Sequence, residues 1–192
     1  DFLGQASFDE ARFTGHADFQ EARFSSGVKF AHATFSREAR FSKARLEESR
    51  LAKVTFENAT FDGDTRFEDT TFIGDIMFAE ATFSKNVWFD TLDTQKNNAI
   101  PFVDFRDVQF HGTVSFQNRQ FLTGPSFENC TFHQAPIFHG CTLHQGTIFP
   151  PRKNFLDVES TKAVQAYRTL KIATGQFGSR QEETMFYALE KQ

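Results

Sequence analysis

The 192-residue chain has one Trp, two Tyr, two Cys, five Pro and no long apolar stretch. Two cysteines, Cys130 and Cys141, cannot build the disulfide framework of a small secreted domain. No apolar run approaches the roughly 18 residues that cross a bilayer as a helix, and no secretory leader is visible. Charge of one sign is scarce too. The chain carries 21 basic and 25 acidic residues, a net charge of −4, which is too mild for a nucleic-acid binder. It opens at Asp1 without a methionine, as a segment of a longer protein would.

What is abundant is Phe, 27 copies of it. The spacing is neither that of a helix face nor that of a half-buried strand. Large apolar centres recur every five or six residues: Phe2, Phe8, Phe13, Phe19, Phe24, Phe30, Phe35 and Phe41, then Leu46, Leu51 and Phe56, and on to Phe89. They resume at Phe105 and continue to Phe149. Two residues before each centre stands a small residue, as at Ala6, Ala11, Ala17, Ala22, Val28 and Ala33. Arg119 is the clear exception, and Pro125 and Pro136 are milder ones.

The stretches "ADFQE", "ARFSS", "ATFSR" and "ARLEE" resemble the pentapeptide-repeat family, whose unit is a small residue, a polar residue, a central Leu or Phe and two variable residues. The resemblance covers about residues 1 to 150. It implies an all-β solenoid, a right-handed quadrilateral β-helix in which each unit forms one face. Physical reasoning agrees with that architecture. One unit cannot bury its own ring, so coils must stack and share a core. The centre and the small residue before it point inward, and the flanking residues meet solvent. Counting 28 centre positions, with Thr94 and Ile100 filling an interruption, predicts about seven coils. At ~4.8 Å per coil the rod is roughly 34 Å long.

Three departures qualify the pattern. Six-residue steps mostly alternate with five-residue ones, and eight of the eleven contain Gly, which suggests corners that need a positive φ. The steps are five throughout between Leu46 and Phe61, so the cross-section should tighten there. Residues 90–101, "DTLDTQKNNAIP", lose the rings and read as a loop. The domain division expected is therefore 1–155 for the β-helix, with a loop at 90–101, and 156–192 for a helical segment.

After "FPPRKNF" the two prolines stop strand pairing. Residues 158–174 then carry Val164, Tyr167, Leu170 and Ala173 on one helical face. "GQFG" ends that helix, and Ser179 with Glu182 reads as a capping box for a second one bearing Met185, Phe186 and Leu189. An α-helical hairpin would cap the open lumen, as solenoids require. The opposite end starts in register with no cap. Either more coils precede it or it stacks end to end on another copy. The tail also looks like the helical segment that follows Phe-rich repeats in some bacterial membrane proteins, which implies a membrane anchor outside this fragment and a place in the cytoplasm or on the cytoplasmic face of the membrane.

Groups for chemistry are present but not arranged for it, so no catalytic residue, metal site or cofactor is expected. His111 and His133 follow centres one coil apart and should be vertical neighbours, but two ligands do not close a metal site. Cys130 and Cys141 should face inward from opposite walls, too far apart to bridge. Charge columns are more informative. Arg23, Arg45, Arg66 and Trp88 each precede a centre and are expected on one face, with Glu47, Glu68 and Asp90 beside them. That column is a self-neutralising ladder, and with Trp88 as anchor it is also a candidate recognition face.

The function these features favour is a non-catalytic protein-interaction scaffold with an unidentified protein partner, and no direct contact with nucleic acid. The alternative is mimicry of duplex DNA. Some pentapeptide-repeat proteins bind type II topoisomerases such as DNA gyrase in that way. Against it, residues 1–155 hold 16 basic and 20 acidic residues with the two signs interleaved.

Overall fold

A unit of five or six residues has one ring to bury and nothing of its own to bury it against. The computed structural model, which describes residues 1–49, 53–92 and 98–192, shows the solution as a parallel β-solenoid. Strands of two or three residues stack along four walls, and the chain passes from wall to wall as it climbs. Wall one pairs strands containing Ala6, Val28, Val54, Ile76 and Val103. Wall two pairs six, containing Arg12, Thr34, Thr60, Thr82, Gln109 and Thr131. Wall three pairs Ala17, Ala39, Thr65, Val87 and Val114. Wall four holds Arg23, Arg45 and Thr71 in one sheet and Ala99 and Gln120 in another. A regular coil takes 22 residues, since Ala6 faces Val28 and Phe13 faces Phe35.

Regular pairing is shorter than the seven expected coils. The full ladders hold five or six strands, and later levels join only through single bridges such as Ser126 to Ile148 and Phe132 to Phe155. Pro125 and Pro136 occupy inward positions at those levels, and a proline brings no N–H to a ladder.

The rings do what the spacing predicted. Phe30, Phe56 and Phe78 stack along wall one at 5.0 and 4.8 Å. Phe35, Phe61 and Phe83 stack along wall two at 4.7 Å, with planes 2° and 6° apart. Wall one also meets wall three across the lumen edge to face, as in Phe41 with Phe56 at 5.4 Å and 87°. Offset stacks along the axis and T-shaped contacts across it are the two favoured aromatic geometries. Each buried ring contributes about 1.5–3 kcal/mol of transfer free energy. Cys130 and Cys141 are free and lie two walls apart, and their thiols donate to the Phe105 and Phe116 carbonyls. Burial pushes the Cys141 thiol up to about 12 and the Cys130 thiol higher still.

Corner geometry corrects the reading of glycine. Among non-glycine residues positive φ occurs at the five-residue corners, after centres on walls one and three, at Glu10, Glu21, His32, Lys43, Asn58, Asp69, Glu80, Asp107, Asn118 and Asn129. There the carbonyl of the centre accepts from the N–H three residues on, as Phe8 does from Ala11 at 3.1 Å. Most glycines of the six-residue corners have ordinary φ. Gly63 and Gly112 are needed for close approach instead: a Cβ on either would collide with the backbone of the coil before it, at Arg37 and Lys85.

Two expected centres, Leu51 and Thr94, lie outside the described residues. Leu46 is on wall four and Phe56 is on the next wall, stacked on Phe30, so these consecutive walls hold centres ten residues apart. The cross-section therefore does not tighten there. Likewise Phe89 and Ile100 occupy consecutive walls, three and four.

Arg119 explains itself at this second interruption. The tight turn expected after Phe89 is absent, because the Leu92 N–H bonds Asp69 instead. Arg119 is fully buried, and its Nε donates to the Phe89 carbonyl. Its other nitrogens reach the Thr70 and Phe67 carbonyls, each at 3.1 Å, and the guanidinium lies over the Phe72 ring. Burial lowers it to about 10, still a cation at neutral pH. The clearest departure from a small inward residue thus satisfies backbone carbonyls at and below the second interruption.

The tail caps the lumen. Helix α1 (Thr161–Gln176) starts at Ser160, whose hydroxyl accepts from the Ala163 N–H, and helix α2 (Arg180–Glu190) follows Gly178 at φ +72°. The α1 face is Ala163, Tyr167, Leu170 and Thr174, shifted by one from the predicted stripe at both ends. Phe186 meets Phe149 and Phe155 edge to face at 5.0 and 5.6 Å, closing the ring column. The capping box at Ser179 does not form. That hydroxyl bonds the Glu182 carboxylate and caps no backbone N–H.

Three stability measurements by urea titration test this account. Gly63→Ala should cost about 1–3 kcal/mol from the backbone collision, whereas Glu80→Asn should gain about 0.5–1 kcal/mol by relieving a left-handed Glu. Arg119→Met should cost about 3 kcal/mol or more, because buried carbonyls lose their donors.

Candidate interaction face

Residues beside each centre point outward, so every wall displays columns of side chains at the strand pitch. The predicted column is divided between two walls. Arg23 pairs in register with Arg45 on wall four, while Arg66 pairs with Arg40 below and Trp88 above on wall three. Leu46 and Phe56 lie on consecutive walls, one wall fewer apart than the spacing implied. Glu47 stays with the first group and joins Arg23 at 3.5 Å and also Arg45. Glu68 and Asp90 stay with the second.

Wall three is the richer of the two. Arg66 sits at its centre. Its Nε donates to Glu38 at 2.8 Å, another nitrogen donates to Glu68 at 2.9 Å, and the guanidinium lies 4.4 Å from the centroid of the Trp88 ring. Arg40 donates to the same Glu38 at 2.6 Å, and Ser42 donates to Glu68 at 2.8 Å. His16 extends the set at 3.8 Å from Glu38. Beside Trp88, Asp90 accepts from the backbone N–H of Gln117 in the next coil at 2.8 Å. Stacked arginines would repel, so the carboxylates between them set the ladder's stability.

The electrostatics follow from the contacts. The hydrogen bond from Arg40, with that from Arg66, holds the Glu38 carboxyl below the usual range against its partial burial. The pairing with Glu38 raises Arg66 in turn. Asp90 goes the other way: desolvation pushes it up despite its hydrogen bonds to Ser115 and Gln117. Trp88 is half-buried, with one face against Arg66. Sequence reasoning missed Glu38 and Arg40. Alternation of short and long steps was the available signal, since setting Leu51 aside leaves one long step of ten between steps of five and places Arg40 beneath Arg66.

The ring stacks leave no room for a ligand between coils. A groove of 590 Å³ runs between Phe149–Arg152 and α2. Among the described residues no group of three or more His, Cys, Asp or Glu could hold a metal ion, and no helix is long and apolar enough to cross a membrane.

A family model described as pentapeptide repeats, nine copies, matches residues 1–45 and 46–91. No curated protein and no solved structure matches the chain.

The Glu38 pairings give a pH signature. A folded-state value below the unfolded one contributes stability above the usual carboxylate range that is lost as pH falls through the folded value. Glu38→Gln should therefore cost up to about 1 kcal/mol at pH 7, and the gap from wild type should close by pH 3 in urea titrations at the two pH values.

Proposed function

The chain belongs to the pentapeptide-repeat family, and from that premise we propose that it is a non-catalytic scaffold that offers wall three to a protein partner. One observation carries the reading. Arg66 is held by two carboxylates and stacked on Trp88, so a cation and a large aromatic ring are fixed side by side on a rigid wall. Trp and Arg are the residues that dominate binding hot spots, and ordering them in advance removes much of the entropy cost of association. Arg40 and Glu68 flank the pair and supply a polar rim. Arg23, Arg45 and Glu47 extend the polar surface onto wall four.

The same ladder argues against mimicry of duplex DNA. A mimic needs rows of unopposed negative charge, and here Glu38, Glu47 and Glu68 are each taken up by arginine. A membrane anchor beyond Gln192 is compatible with the scaffold reading, because wall three and the helical cap are at different places on the rod.

The test compares partners captured by the wild-type chain, by Trp88→Ala and by Thr34→Ala on wall two, quantified by mass spectrometry. Loss of a hot-spot residue costs at least about 2 kcal/mol, or roughly thirtyfold in affinity. The proposal expects Trp88→Ala to lose a defined set that Thr34→Ala retains. An identical set for all three proteins would sink it.

A further inference from the structure

Two imidazoles stand together near the C-terminal end of wall two. His111 and His133 directly follow Phe110 and Phe132, which are paired in register. Both side chains therefore emerge on the outer surface one above the other. Their ring centroids are 4.3 Å apart, with planes 40° from parallel. That is closer than the ~4.8 Å between strand backbones, so the rings lean together. Neither ring has a hydrogen bond or ion pair with another described residue. The other histidines are separate: the His144 Nδ1 accepts from the Gly146 N–H at 3.0 Å, and His16 lies beside Glu38.

We propose that His111 and His133 form a two-imidazole chelate for a borderline divalent transition-metal ion. Two imidazole nitrogens bound to one ion at roughly 2.0–2.1 Å each must come within a few ångströms of one another. The pair is within that reach if the rings turn about χ2, a broad torsion, with the backbone held by the wall two ladder. His111 is exposed and His133 half-buried, so an ion can enter from solvent. Imidazole selects zinc, copper or nickel, while calcium and magnesium need oxygen ligands. Two protein ligands leave the remaining positions to water, so this is an open and exchangeable site. It is not a closed structural centre.

The test titrates Zn²⁺, then Mg²⁺, into the untagged full chain by calorimetry, with His111→Gln, His133→Gln, the double variant and His139→Gln on wall three as control. Loss of one ligand should cost at least the roughly tenfold to hundredfold that loss of an outer partner costs. Each single variant should fall to the level of the double variant, His139→Gln should bind as wild type does, and Mg²⁺ should not bind. Melting curves without metal check that each variant folds. In the wild-type chain, Zn²⁺ should shift the imidazole nitrogen resonances of His111 and His133 together. The proposal is overturned by a single variant that keeps wild-type affinity, by an equal loss in His139→Gln, by shifts confined to other histidines or by no saturable Zn²⁺ binding.

Discussion

Phenylalanine stacked on phenylalanine, coil upon coil, is the constraint on which the rest of this molecule depends. Strands of two or three residues contribute few ladder hydrogen bonds each and could slip past one another. A ring every five or six residues removes that freedom. Phe61 stacks between Phe35 and Phe83, and a slip of one residue would put a polar residue in the lumen. Edge-to-face contacts between walls one and three tie the columns to each other, so register on one wall transmits to the next.

That constraint explains how much of the fold was legible in the sequence. The inward slots, the stacking, the opposed free cysteines and the helical cap all follow from where large and small residues fall. The errors come from positions where the local motif is ambiguous. "SRLAK" around Leu51 fits the repeat as well as "ARLEE" around Leu46 does, and nothing within five residues tells them apart. Only the 22-residue period of the whole coil does. The glycine error has a different cause. Composition shows that a corner is tight but not whether the difficulty is a backbone angle or a neighbouring strand, and at Gly63 it is the neighbour. Arg119 looked like a flaw in the repeat because the carbonyls it serves lie one and two coils away.

Function was less legible for the same reason. The individual residues of the candidate face were readable, but their grouping rests on register, and one misplaced centre merged two walls into one. Once register is set by the rings, Arg40, Arg66 and Trp88 form one column with Glu38 between the arginines, while Arg23, Arg45 and Glu47 form another. A solid interior then limits what the rod can do. Recognition has to occur on outer walls, where backbone spacing fixes the distance between side chains. Wall three uses that spacing to hold a cation against an aromatic ring, and wall two uses it to bring two imidazoles together.

The most direct measurement of ring-dictated register is a cross-link between outward positions. Cysteines replacing Arg40 and Arg66 would occupy paired positions on adjacent coils of wall three, within the roughly 4.4–6.8 Å Cα separation that a disulfide spans. Cysteines replacing Arg45 and Arg66 would stand on different walls. The account predicts that mild oxidation closes an intramolecular disulfide in the folded Arg40→Cys/Arg66→Cys chain and leaves Arg45→Cys/Arg66→Cys as free thiols. The reverse result would show that the rings do not set the walls as described.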